Sequence, residues 1–349
     1  MRKAGFAPGK LPPAMMVKLL DRLRTDDPSV KLGPAMGEDA AAIRLGGDRY
    51  LISKTDPITF TAQGAPALLL QVNANDLATR GAQPRYLQVA ALFPPGTTAA
   101  AIRQCFTELH SEARKLGVTI TGGHTEVTEA VTRPVLVGHM LGFASGRRLI
   151  STAGAKPGDA LVMAGAAGIE GSAILARERG QQIARALGDS ARREAERFAI
   201  NPGTSVVPAA RIAAALGAHA MHDPTEGGVG AAIHEMAYAA ALRVEVNLER
   251  ILVLAITRKI CDLLGIDPLG LTSSGALLVA IDPARAVRLV NALHKAQVPA
   301  SPIGGFEPGR GVKAKLDGKV TRLPWFERDE ILRIRDVESK HKPARRFQS

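Results

Sequence analysis

The chain has 349 residues, 46% hydrophobic and 22% charged, the balance of an ordinary globular protein and too long for one typical core. No apolar run approaches the roughly 20 residues that span a bilayer, and Met1-Arg-Lys lacks the apolar stretch of a secretory signal, so a cytoplasmic protein is expected. The net charge of +12 is spread over helix-like faces (Arg177, Arg179, Arg192, Arg193) and a basic tail, and aromatics reach only 4%, so anionic small substrates are expected and nucleic acid is not.

Residues Leu11–Arg24 have helical spacing, with Pro12-Pro13 suited to the first turn. Tyr50–Ser53 reads as a strand running into Lys54-Thr-Asp56, and Ala65–Arg80 as a helix stopped by Gly81. Tyr86–Phe93 is a strand, and Thr98 and Gly117 cap and end a helix over Thr98–Leu116. Val118–Thr121 is a strand opening onto a Gly122-Gly123 loop, and Pro134–Phe143 is another strand. Beyond residue 150 come the strand Ala160–Ala164, the glycine-rich Gly165–Gly171 and helices at Ser172–Arg179 and Ser205–Leu216. A turn at His222-Asp-Pro-Thr225 precedes a helix over Glu226–Ala241; the strand Ala276–Ile281 and helix Ala284–Lys295 follow. Strands and helices mix without strict βαβ alternation, which argues α+β. Cys105 and Cys261 form no metal-ligand set and read as reduced, buried residues.

Four acidic motifs stand where strands end or helices begin: Gly37-Glu-Asp39, Thr55-Asp56, Asn75-Asp76 and Gly122-Gly-His-Thr-Glu126. Isolated carboxylates that a fold can gather suit Mg²⁺, a hard cation that shares its shell with substrate phosphates. Asn73, Asp76 and Arg80 fall on one helix face, where an exposed Asp–Arg pair is the plainer reading. The glycines of Gly122-Gly123 and Gly165–Gly171 would let backbone amides approach a phosphate. Asp223 or Thr225 can cap the helix that Glu226 opens, but capping leaves Gly227-Gly228 unexplained, since glycine costs about 1 kcal/mol in a helix interior. Close approach of another backbone or a ligand would explain them.

In this order the motifs Gly37–Ile43, Thr55-Asp56, Asn75–Pro84, Gly122–Glu126, Gly158–Val162, Gly168–Leu175 and His222–Gly228 resemble one superfamily. It contains aminoimidazole ribonucleotide (AIR) synthetase (PurM), the hydrogenase maturation factor HypE, selenophosphate synthetase and thiamine-phosphate kinase. The likeness runs over roughly residues 9 to 323, with the spacing around Asp223-Pro-Thr225 and Leu263–Pro268 closest to HypE. It implies an α+β, two-domain PurM-like fold: an N-terminal ATP-binding domain (1–150) whose mixed sheet pairs into a barrel in a homodimer, a C-terminal α/β sandwich domain (151–325) and a basic tail (326–349).

The resemblance also implies ATP and Mg²⁺ as cofactors, with Asp39, Asp56 and Asp76 as metal ligands. Thr55, Asn75, Gly122, Gly123, Thr125, Asp223, Glu226 and Gly227 would contact the nucleotide, and Lys10, His124 and Glu126 would serve catalysis. The implied reaction is phosphorylation of an amide or carbonyl oxygen of a small substrate, with a maturation protein as a further partner. AIR synthetase proper, a small-molecule kinase and a nucleotide-binding scaffold are the alternatives. Two departures stand out: HypE proteins end in a cysteine that carries the carbamoyl group, whereas this sequence ends Arg345-Arg-Phe-Gln-Ser349, and the family's acid in the Gly-Gly loop is His124. The S-carbamoyl dehydration is therefore not expected in its usual form.

Overall fold

A computed structural model describes Phe6, Gly9 and residues 11–23, 26–59, 64–146, 149–326 and 328–334. The expected catalytic Lys10 and the tail beyond residue 334 lie outside the described residues. Two mixed sheets, each covered by helices, form the molecule, and no described helix is long and apolar enough to cross a membrane.

A short first helix, α1 (Pro13–Asp21), precedes the first sheet. The sheet joins β1 (Val30–Leu32), β2 (Ala41–Gly46), β3 (Arg49–Ile58), β4 (Gln83–Phe93), β5 (Thr119–Val127) and β6 (Val135–Ser145) in the order β1-β2-β3-β6-β4-β5. All neighbours are antiparallel except β4 and β5, which need the crossover helix α3 (Ala99–Leu116) between them. Thr98 caps α3 by accepting from Ala101 N at 3.2 Å, and Gly117 closes it in the left-handed region.

The other helix of this half, α2 (Ala65–Thr79), is buried on nearly every side. It packs against β3 and β6, against α3, and against α7 (Val207–Ala215) of the second half. Leu69, Leu70, Ala74 and Leu77 serve the core of the first sheet, while Ala78 joins the apolar cluster of the second. Asn73, Asn75, Asp76 and Arg80 are buried with them. Polar groups in such a position need partners, and those partners build the site.

The second sheet runs β13 (Lys319–Thr321), β12 (Gly311–Leu316), β9 (Arg243–Asn247), β11 (Ala300–Glu307), β7 (Ala160–Ala164), β10 (Leu277–Ile281) and β8 (Ala220–His222). Every residue of β10 is buried, because helices cover both faces. Val229, Ile233 and Met236 of α8 (Gly228–Ala239) pack on one side, and α7 with α10 (Pro283–Lys295) on the other. A fourth cluster joins α4 (Ile169–Glu178), α5 (Gly180–Leu187), α6 (Asp189–Arg197) and α9 (Ala255–Leu264).

Several local expectations change. The strand expected at Val118–Thr121 continues as β5 to Val127, so Gly122-Gly123 is extended edge-strand backbone and not a loop. A Cβ on Gly123 would lie 1.9 Å from Val89 O, so pairing with β4 is what requires glycine there. The amides of Gly165, Ala167, Gly168 and Gly171 are all taken, by Pro299 O, Leu252 O, Ser273 Oγ and Thr272 O. Four of the segment's amides thus serve its packing.

Candidate metal centre

Asp39 stands in the loop before β2, Asp76 in the last turn of α2 and Asp223 directly after β8. Each turns one carboxylate oxygen to a common point, and the three oxygens lie within 4.8 Å of one another. Both oxygens of Asp223 are buried without a hydrogen-bond partner among the described residues. A buried carboxylate left so costs several kcal/mol unless a cation meets it. A small hard cation with oxygen preference fits this donor set.

Positive side chains surround the trio. Lys54 Nζ lies 2.8 Å from Asp76 Oδ2 and 3.8 Å from Asp56 Oδ2. Asp56 is thus a neighbour of the trio but not one of its three converging carboxylates. His222 is held between two acids, its Nδ1 3.1 Å from Asp39 Oδ2 and its Nε2 2.8 Å from Glu235 Oε2.

The charges follow from this crowding. Burial pushes Asp76 up to about 7 against the pull of Lys54, and Asp39 and Asp56 add to the rise. Asp223 is also raised well above the usual carboxylate range, first by burial and then by Asp76 and Asp39. Burial acts on Asp39 in the same direction, but His222, Lys54 and Arg80 outweigh it and hold its carboxyl low. Burial opposes charge on His222, yet Asp39 and Glu235 prevail and raise it to about 10. A neutral-pH trio of mixed protonation is poised to release protons when a cation binds.

Two clamps bring the halves together. The Asn75 amide donates to Thr204 O at 2.8 Å and accepts from Val206 N at 2.9 Å, so this expected nucleotide contact ties α2 to the second half. Arg80, wholly buried, pairs with Glu38 and donates to Thr152 Oγ1 at 2.9 Å and Met221 O at 3.0 Å. The exposed Asp76–Arg80 pair, the plainer alternative for that helix face, does not form, because Asp76 pairs with Lys54 and Arg80 with Glu38.

The remaining expected residues fall elsewhere. Lys54 and Asp56 project toward α2, so Thr55, between them on the strand, projects to the opposite face of β3. His124 and Glu126 are exposed on edge strand β5, 3.3 Å apart, with Gly122, Gly123 and Thr125 along the same strand. Asp56 registers with Gly138, Val89 and Gly123 across β6, β4 and β5, three strand spacings of about 4.8 Å each from the edge. Glu226 lies near Asp329, whose carboxyl it helps to raise. The Gly227 amide donates to Asp329 Oδ2 at 3.0 Å, and Cβ atoms on Gly227 and Gly228 would meet Phe326 O and Leu269 O at 2.7 and 2.4 Å. Backbone approach explains these glycines.

Sequence reasoning passed over Lys54, His222, Glu235 and the Glu38–Arg80 pair. Their signals were adjacency alone: Lys54 two residues before Asp56, His222 just before Asp223. An open cavity of about 1030 Å³ lies between α4, α5 and α6, but its Arg192 is already paired with Asp189 and Glu196. Unmet carboxylate charge, rather than cavity size, marks the candidate centre.

Residues 37–144 match the N-terminal domain of AIR synthase related proteins, and residues 156–317 match their C-terminal domain. Carbamoyl dehydratase HypE of Cupriavidus necator is 28% identical over 312 residues, 85% of this chain and 86% of that protein. HypE of Escherichia coli K12 is 27% identical over 262 residues, 73% and 75% of the two chains. Among solved structures, a HypE–HypF complex matches with a TM-score of 0.72 at 21% identity, over 88% of this chain and 99% of that one. A thiamine-monophosphate kinase (AaThiL) complexed with AMPPCP and TMP matches with a TM-score of 0.70 at 15% identity, over 89% and 95%. HypE in complex with ATP matches with a TM-score of 0.62 at 24% identity, over 91% and 98%. The chain belongs to the AIR synthase-related, PurM-like superfamily.

Proposed function

We propose that this PurM-like chain is an ATP- and Mg²⁺-dependent enzyme that phosphorylates an amide or carbonyl oxygen of a small substrate, as its carbamoyl dehydratase relatives suggest. The observation that carries this reading is the convergence of Asp39, Asp76 and the partnerless Asp223 within 4.8 Å. In this reading the three carboxylates hold Mg²⁺. His222, fixed between Asp39 and Glu235, orients Asp39 as outer-shell groups orient metal ligands. Bound Mg²⁺–ATP would supply an electrophilic phosphoryl group with its charge neutralised.

Thr55, Asn75, Gly122, Gly123, Thr125, Glu226 and Gly227 remain proposed nucleotide contacts only if a bound nucleotide draws their segments together. A homodimer is the more economical route for β5. All nine of its residues are exposed, and a bare edge strand is a template for pairing. Tyr86, Ile120, Val127 and Phe143 add exposed apolar surface on and beside it. Pairing there would put His124 and Glu126 at the boundary between copies, where we propose they face substrate.

The acceptor is proposed to be a separate molecule or to be carried by a maturation partner. Burial raises the thiol of Cys105, and pushes that of Cys261 up to about 12, so neither is a poised thiolate. The test is a phosphate-release screen with ATP, Mg²⁺ and a panel of amides and carbamoyl compounds. Mg²⁺-dependent release with one class supports the reading; nucleotide binding without release from any of them contradicts an enzyme and leaves a binding protein.

A further inference from the structure

Strand alternation sends Lys54 and Asp56 to the face of β3 that α2 covers. There the Lys54 ammonium sits 2.8 Å from Asp76 Oδ2 and 3.8 Å from Asp56 Oδ2, with only 15% of its side chain exposed. Lysine is rarely buried without a pairing charge. Burial opposes the ammonium's charge, but Asp76, Asp39 and Asp56 outweigh it and hold the group protonated. The acidic cluster therefore carries a resident cation from this chain itself.

Of the acids that face this cation, Asp56 alone lies outside the converging trio. Asp39, Asp76 and Asp223 converge on one point, the position of the proposed metal. A second divalent ion of a two-metal phosphoryl-transfer site, with ions about 3.5–4 Å apart, would need a further carboxylate such as Asp56 beside Asp76. The ammonium already bonds Asp76 there and faces Asp56. Unlike Mg²⁺, it neutralises charge as a compact point donor without demanding an octahedral shell. Resting on the Mg²⁺ reading of the trio, we propose that Lys54 takes the place of a second divalent cation, so that each chain binds one metal ion.

Mn²⁺ titrated into the full-length protein, with free ion read by electron paramagnetic resonance, tests the count directly. One Mn²⁺ per chain is expected for the wild type and for Lys54→Arg, which keeps the charge. Lys54→Gln removes the ammonium beside Asp76 and Asp56 and is expected to bind a second, weaker ion, with circular dichroism melting as the check on folding. Two ions on the wild type or on Lys54→Arg overturn the proposal while sparing the trio, and need no result from Lys54→Gln. A folded Lys54→Gln protein that still binds one ion overturns it as well. No Mn²⁺ on the wild type overturns the trio reading, and the Lys54 proposal falls with it.

Discussion

Arg80, fully buried at the end of α2, pairs with Glu38, and through that one guanidinium the three elements of the candidate centre are tied. Arg80 follows Asp76 on the same helix, Glu38 precedes Asp39, and Met221, whose carbonyl Arg80 also holds, lies two residues before Asp223. The inter-half contact and the candidate site are one structure.

Replacing Arg80 by Met should therefore cost more than an ordinary core change. It leaves the buried Glu38 carboxylate without its counter-charge, holding only the Ala153 amide at 3.3 Å, a loss of about 3–5 kcal/mol. Urea unfolding followed by circular dichroism measures it; a loss below about 1 kcal/mol would mean that Glu38 readily finds water or another partner.

Asp329 gives a pH dependence of defined sign. It is buried, accepts from Gly227 N and Ile331 N, and is pushed up to about 7, first by burial. Its folded pKa exceeds the ordinary 3.8, so its proton stabilises the fold. That contribution is full below about pH 4 and lost as pH rises through about 7. Asp329→Asn forfeits one hydrogen bond, about 1 kcal/mol, but stability between pH 5 and 7.5 should fall less steeply than in the wild type. An unchanged slope in paired denaturation curves would contradict this.

Cation binding should follow pH in the opposite sense. Asp76, raised to about 7 first by burial, and Asp223, also raised by burial and then by its acidic neighbours, must lose protons to become ligands. Mg²⁺ affinity should rise from pH 5.5 to about 7.5 and then flatten. Calorimetry in buffers of different ionisation heat should register proton release at pH 6.5. Pairs of buffers that give identical heats would refute it.

The β4–β5 contact makes a local test. Gly123→Ala places a methyl 1.9 Å from Val89 O, too close for the backbone to keep its register. Hydrogen exchange should quicken across residues 119–127 while β7 and β10 keep their protection. Unchanged exchange in β5 would mean that the strands part without cost.

Much of this molecule was legible from residue order. Helix α3 announced itself by Thr98 and Gly117, and α2 by the spacing that put Asp76 and Arg80 on one face. Spacing identifies a helix face but not what covers it, so a surface ion pair stayed open for a helix that is buried between two sheets. Glycines were ambiguous for a similar reason: Gly123, Gly171 and Gly228 answer to neighbouring chain atoms at 1.9–2.4 Å, where their pattern allowed a phosphate at the first two and either a backbone or a ligand at the third. Asp39 and Asp76 were found early because their motifs stand out. Asp223 joins them through β8, the edge strand of the other sheet, and Asp56 lies outside the converging three. Both facts depend on contacts between distant segments.

Asp39, Asp76 and Asp223 are proposed to hold the cation of a magnesium–nucleotide. Isothermal titration of a non-hydrolysable ATP analogue with Mg²⁺ into the wild type, Asp223→Asn and Asp56→Asn tests it most directly. Asp223→Asn should weaken Mg²⁺-dependent binding beyond the roughly 10–100-fold that outer-shell changes cost, and Asp56→Asn should weaken it less. Wild-type affinity in a folded Asp223→Asn protein would contradict the account.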